Sequence, residues 1–401
     1  MRIAFLTHEP FYPPSGGGSA EAIYIVEEMV ARGHEVHIFC PQIPDADAVA
    51  KKFKVTLHQF TKWKMGRYAS MRNVKYVFYP FFLQRMVAEA ARQQRFDLLF
   101  SQHTISAVAA GRLRKKLGTP VAMNFLDFLT GFMETWPSYV MPKPVLKRLE
   151  KFELSLPSKY EAEGVLTVSD VLADLFAEAG YPRQRLKPIF YGYDSTLFPL
   201  RDFTRVAPAS APVVVMHGSF DQHHLGPIAR NAIALVAKQK PETTFRFVGK
   251  ETPGLKNFVT AVKQASPNVR IECTGFLDYK QVAARLSDAT VGMIPYEESI
   301  GTHCAFVAKL VEYLGVGLPV VSTPLRNVMN YFKGEPMIRF AGFDGESFGR
   351  EILQTFEKPV EQVAKDAAPA SHRVQRELDW RAISRNAVQF LETLPQNTAK
   401  K

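Results

Sequence analysis

Residues Gly301 to Pro324 read GTHCAFVAKLVEYLGVGLPVVSTP, and the parsing of this stretch decides the fold. Phe306, Leu310, Val311 and Leu314 recur at helical spacing, and Thr302 is placed to cap that helix. Gly315 and Gly317 end it, and Pro319 cannot continue it. Val320, Val321, Ser322 and Thr323 then form the β-branched run of a strand covered on both faces. Two charged residues remain on the helix, Lys309 and Glu312. They are three apart and so share a face. Spacing leaves two readings open: an ion pair on an exposed face, or a cation and an acid beside a helix N-terminus, where a phosphorylated sugar would bind.

The same pattern opens the chain. Arg2–Thr7 is a short apolar strand, followed by a loop that runs into Gly16, Gly17 and Gly18. Ser19 can cap a helix from Ala20 to Arg32, Gly33 closes it, and Glu35–Cys40 is the next strand. This β-loop-α-β unit is the signature of a doubly wound parallel sheet. The glycine loop is not GxGxxG, and no ribose-binding acid ends the second strand, so a dinucleotide enzyme is not expected. The glycines let backbone approach a ligand; the alternative is a tight turn and nothing more. Strands at Asp97–Ser101 and Pro120–Phe125 place His103 and Asp127 just beyond their C-terminal edges, where open α/β sheets bind ligands. Asp127 is therefore a candidate functional carboxylate; otherwise it is an N-cap or turn former. Asp45-Ala-Asp47 reads as a solvated turn. Arg205–Pro212 is a Pro- and Ala-rich linker, and a second βαβ series starts at Val213. Ala364–Ala370 reads as a weakly ordered connector before a final amphipathic helix at about Trp380–Leu394. These boundaries divide the chain at residues 1–203 and 204–379, with 380–401 beyond.

Composition narrows the class. The 401 residues are 46% hydrophobic and 22% charged, as in a globular protein, and no apolar run reaches the length of a membrane span. The start, MRIAFLTHEP, lacks the layout of a signal peptide, and three scattered cysteines make neither a disulfide framework nor a zinc site. A reducing cytoplasm fits these features. The formal charge is +11, concentrated between Lys51 and Arg95, where eleven Lys or Arg face one acid, Glu89, among large aromatics. That mixture suits a membrane interface carrying anionic lipid. The alternative is a solvated helical face over core aromatics. No nucleic-acid-binding motif accompanies the charge.

Taken in order, the GGG loop, Arg32-Gly-His-Glu-Val36, Ser101-Gln-His103, Leu126-Asp127, Val165-Leu-Thr-Val-Ser-Asp170, Tyr191-Gly-Tyr-Asp194 and Lys309-Leu-Val-Glu312-Tyr-Leu-Gly-Val-Gly-Leu-Pro-Val-Val321 resemble a GT-B glycosyltransferase of the family 4 type. The resemblance runs through almost the whole chain. It implies two Rossmann-like, doubly wound domains facing across a cleft. The N-terminal domain would bind the acceptor, with His103 and Asp127 on that side and residues 380–401 packing back on it. The C-terminal domain would bind a nucleotide sugar, UDP-linked or GDP-linked. In such enzymes the second glutamate of a Glu-seven-residues-Glu motif contacts the nucleotide ribose, and Glu312 matches it. Cys304 stands where the first glutamate would contact the donor sugar. The usual Arg and Lys after the second domain's first strand are also missing from Gly218–Pro227, so Lys309, assisted by His224, would supply the cation. Gly16, Gly17, Gly18, Gly218, Ser219 and Phe306 complete the expected donor site. A narrower similarity points to xanthan-type glucuronosyltransferases.

The resemblance also implies catalysis without cofactor or metal, with protein groups neutralising the leaving diphosphate. The family's usual His is replaced by Leu126, and Asp127 follows directly. Retention is the family default; an Asp127 carboxylate acting as general base would make the reaction inverting. The expected acceptor is a glycan, a lipid-linked sugar or a small molecule, met at an anionic membrane surface, with no nucleic acid involved. Two other readings share the architecture: a nucleotide-sugar 2-epimerase and a catalytically silent nucleotide-sugar-binding subunit.

Overall fold

The computed structural model describes residues 1–14, 17–60, 72–206, 210–220 and 224–398. Gly16 and the central part of the basic aromatic stretch, 61–71, lie outside these residues. The chain divides into two compact units, Met1–Phe190 with Trp380–Lys401, and Tyr191–Asp379.

In the first unit, seven strands run parallel: β1 (Arg2–Thr7), β2 (Glu35–Pro41), β3 (Thr56–Phe60), β4 (Leu98–Gln102), β5 (Val121–Phe125), β6 (Gly164–Thr167) and β7 (Leu186–Pro188). Their order across the sheet is β3-β2-β1-β4-β5-β6-β7. The chain winds one way from β1 to β3 and the other way from β4 to β7. The switch point therefore lies between β1 and β4, where crossover loops part and leave room for a ligand. Central strands are apolar on both faces because helices cover both: β4 and β5 are buried at every position. The helix Trp380–Thr398 belongs to this unit. Trp380 stacks on Tyr24 at 5.8 Å, and Arg32 donates to both carboxylate oxygens of Glu392.

The second unit repeats the plan with six parallel strands: β8 (Val213–His217), β9 (Thr244–Val248), β10 (Arg270–Cys273), β11 (Val291–Ile294), β12 (Val320–Ser322) and β13 (Ile338–Phe340). The order is β10-β9-β8-β11-β12-β13, which places its switch point between β8 and β11. Val214, Met216, Phe245 and Phe247 pack against Ile228, Ala232, Val236, Phe348 and Ile352 to form the core.

Several expectations need correction. The division falls at Phe190, before the Pro-rich linker, because the intervening segment is fastened to the second unit. Tyr193 N donates to Leu378 O at 3.0 Å, and Arg201 donates through N to Val316 O and through Nη1 to Ala289 O. Linker-like composition did not mark the place where contacts change. Residues 364–370 are no connector but part of the helix Val360–Leu378, despite Pro369 within it. Burial of Ala367 and Ala370, and the bond from Ser371 Oγ to Gly315 O, override the local preference. Asp45 lies in an exposed turn, as expected, whereas Asp47, also exposed, already belongs to the first turn of the helix Ala46–Phe53. The helix read from Thr302 onward is two helices, Ile300–Cys304 and Ala308–Gly315, joined by extended backbone at 305–307. Its cap is Ser299, which forms a reciprocal capping box with Thr302.

Candidate functional site

Each unit carries polar residues at its own switch point. In the first, His8 and Glu9 follow β1, His103 follows β4, and Leu126 and Asp127 follow β5. His103 opens the helix His103–Leu117 with φ 68, a left-handed conformation that costs a non-glycine residue about 1–3 kcal/mol and is found at functional turns. Its ring meets His8 edge-on at 5.1 Å, and Nε2 lies 3.9 Å from Glu9 Oε2. Gly18 comes against both neighbours. A Cβ there would stand 2.8 Å from Leu126 Cδ1 and 3.4 Å from the His103 ring, and Gln102 Nε2 donates to Gly18 O at 2.8 Å. Gly17 opens the helix Gly17–Ala31. Gly18, His103 and the Leu126-Asp127 turn are thus brought together.

The carboxylates here are perturbed. Burial, then the charges of Glu9 and Glu153, push the Asp127 carboxyl up to about 7. Glu153, from the helix Lys143–Lys159, accepts from Thr104 Oγ1, Thr130 Oγ1, Thr130 N and Leu129 N. Four donors make it a structural anchor for the turn after β5. Glu21, on the helix Gly17–Ala31, is 2% exposed and accepts from Asn124 Nδ2 at 2.9 Å. Burial pushes its carboxyl up to about 8, against the opposing bond from Asn124. Asn124 Oδ1 is buried with no hydrogen-bond partner among the described residues. A protonated Glu21 can donate to that oxygen while accepting from the same amide, which satisfies both groups. Sequence reasoning missed Glu21, since a lone acid in a helix carries no sign of burial.

In the second unit Gly218 follows β8 with φ 105, a turn that any side chain would strain. The position a Cβ would take lies 3.6 Å from Lys309 Cε. Lys309 and Glu312 are each 8% exposed, so the exposed ion pair allowed by their spacing does not exist. The two instead take separate partners. Lys309 Nζ is 3.3 Å from His224 Nε2 and 5.3 Å from the centre of the Tyr296 ring, with His224 edge-on to Tyr296 at 4.6 Å. Glu312 Oε2 is bonded to His217 Nε2. Gly218, His224, Lys309 and Glu312 are therefore collected at one switch point, and Ser219 is exposed beside Gly218. The Phe306 side chain does not join them. It is buried against Tyr331 and Phe332 with ring centres at 5.2 and 6.0 Å, because its stretch is extended and turns the ring into the core. Cys304 is also fully buried. His217 and Tyr296 gave no sequence signal, since each is a single polar residue at a strand end.

Two helix N-termini open near this edge. That of Pro227–Gln239 is already occupied: Glu297 Oε1 accepts from Ile228 N at 3.0 Å, and its carboxylate lies where a Gly226 Cβ would be. That of Ala308–Gly315 has no side-chain cap from Val307, so its first amides and Lys309 point to an anion site.

Two doubly wound parallel units, each with polar residues at its switch point, define the class of GT-B proteins. Residues 16–192 match the family described as Glycosyl transferase 4-like domain, and residues 211–358 match Glycosyl transferases group 1. The chain belongs to the GT-B glycosyltransferases of the family 4 type. It is 28% identical over 163 residues to a Bacillus subtilis protein named for teichuronic acid biosynthesis, the glycosyltransferase TuaH; the match covers 38% of this chain and 37% of the relative's length. Among solved structures, the fold is similar to sucrose-phosphate synthase from Thermosynechococcus elongatus (TM-score 0.80, 15% identity, 100% of each chain). It is also similar to Anabaena HepE in complex with UDP and glucose (TM-score 0.71, 17% identity, 98% of this chain and 100% of that one).

Proposed function

We propose that this protein transfers a sugar from a nucleoside diphosphate sugar, UDP-linked in the first instance, to an acceptor hydroxyl in the synthesis of a polysaccharide or other glycoconjugate. The observation that carries the reading is the Lys309 amine, held by His224 and Tyr296 over the Gly218 turn at the first turn of an uncapped helix. The HepE complexes with UDP and the name of TuaH support the donor and the pathway class.

The chemistry follows from charge. As the bond from the anomeric carbon to the diphosphate oxygen breaks, the diphosphate gains negative charge. Lys309 and the amides of Ala308–Gly315 neutralise it, with no metal assigned a role. The acceptor oxygen forms the new bond and its proton must leave. Asp127 is the base, since a carboxyl near 7 is ionised enough to act and basic enough to take the proton. The expected stereochemistry is then inversion. A membrane surface fits exposed Phe78 and Phe81 beside Arg85 and Arg112, and the exposed Val145, Leu149 and Phe152 of the Lys-rich helix Lys143–Lys159. No described helix is long and apolar enough to cross a membrane.

The test is slow hydrolysis of a UDP- and GDP-sugar panel with and without EDTA. Release of free sugar from one donor, unchanged by EDTA, is the expected result. Interconversion of two sugar nucleotides without acceptor would make the protein an epimerase, and binding alone would make it a silent subunit. Vesicles carrying anionic lipid should retain the protein at low salt and release it as salt rises.

A further inference from the structure

Glu312 is not a lone acid. His217, the last residue of β8, points Nε2 at Glu312 Oε2, and the two residues are 6% and 8% exposed. His217 is itself fixed. Its backbone N donates to Tyr313 Oη at 3.3 Å, that hydroxyl lies 3.4 Å from Val215 O, and the two rings meet edge-on at 5.0 Å. Its other ring nitrogen, Nδ1, is buried with no hydrogen-bond partner among the described residues. An unpartnered Nδ1 is better tolerated as a bare acceptor than as a donor, so Nε2 carries the proton and donates it to Glu312. The second carboxylate oxygen, Glu312 Oε1, makes no hydrogen bond within the described residues. One oxygen is therefore held and the other left open.

A buried His–Glu pair is an expensive way to fill a core position, because apolar residues of similar volume serve stability as well or better. Its position at the switch point, beside the Gly218 turn, argues for a role with ligand. We propose that His217 is the positioning residue for Glu312: it fixes one carboxylate oxygen so that the other meets a ribose hydroxyl of the bound nucleotide. Ribose recognition then belongs to the pair and not to the glutamate alone. This rests on the nucleotide-sugar reading above. A freely rotating carboxylate would take either hydroxyl of the diol, whereas a pinned one prefers a single hydroxyl.

The experiment measures affinities of the full chain for UDP, 2′-deoxy-UDP and 3′-deoxy-UDP, with the GDP set in parallel, in wild type, His217→Ala and His217→Gln. Gln can reach Glu312 with its own amide N–H. Wild type should bind one deoxy analogue about tenfold more weakly than the ribonucleotide, the worth of one charge-assisted hydrogen bond, and tolerate the other. His217→Ala should bind the ribonucleotide about tenfold more weakly and lose the discrimination. His217→Gln should keep both affinity and discrimination. Circular dichroism establishes that each variant is folded; should His217→Ala unfold, His217→Phe replaces it as the ring-shaped variant without a donor. Discrimination that survives in a folded variant lacking the donor overturns the role of His217 while leaving the donor site standing. A wild type that binds neither nucleotide overturns the donor reading, and this inference with it.

Discussion

Glu21→Gln isolates the best-defined electrostatic strain in the protein. The Glu21 carboxyl is moved from its ordinary 4.5 to about 8 by burial, and its neighbour Asn124 offers both a donor and an unused acceptor. Because the folded form binds its proton more tightly than the unfolded form, the native state holds more protons between these two values. Stability is therefore full below pH 4.5 and falls as pH rises toward 8. Each unit of displacement is worth about 1.4 kcal/mol, so between pH 5 and pH 8 this one group should cost the first unit about 3 kcal/mol. Glutamine has the same shape, carries no titrating proton, and can donate its amide hydrogen to Asn124 Oδ1 while accepting from Nδ2. Urea denaturation of wild type and variant at pH 5 and pH 8 reads the difference. The variant should be close to wild type at pH 5 and more stable by about 3 kcal/mol at pH 8, with a flatter pH dependence. Equal pH slopes for the two proteins would refute the buried, protonated Glu21.

Three further outcomes follow from the same geometry. Asp127→Asn should lower kcat by about a hundredfold or more, and the wild-type kcat/KM should rise with pH around a midpoint of about 7, since the base must be ionised; unchanged turnover in a folded variant rejects it as the base. Lys309→Met, similar in length but uncharged, should weaken UDP binding by about ten- to a hundredfold in a calorimetric titration, the worth of a charged hydrogen bond. Gly315→Ala would place a Cβ 2.4 Å from Cε2 of the buried Tyr193 ring, and should lower the stability of the second unit by about 1–3 kcal/mol in thermal unfolding.

Much of this was legible in the chain alone, and the reason is periodicity. Parallel strands covered on both faces must be continuous apolar runs, and the helices between them must repeat at 3.6, so the order of elements and the doubly wound class follow from local composition. Asp127 and His103 could be placed beyond the C-terminal ends of β5 and β4, and so become candidates, because strand ends can be located and open sheets bind ligands there. The family resemblance made Lys309 and Glu312 worth following.

What those residues touch could not be read this way. Spacing placed Lys309 and Glu312 on one face, but the face meets His224, in the turn before the helix Pro227–Gln239, and His217, the last residue of β8, which lie 85 and 95 residues earlier. Glu21 reaches Asn124 across 103 residues, and only the fold buries that acid and so pushes its carboxyl up. The helix through Pro369 and the unit boundary at Phe190 were misjudged for the same reason: local composition records what a segment prefers, and packing decides whether the preference is overruled. The sequence by itself therefore determined which elements form and in what order. Only the tertiary structure decided which side chains lose water, and with it their partners and their charge, because that loss depends on atoms brought from distant parts of the chain.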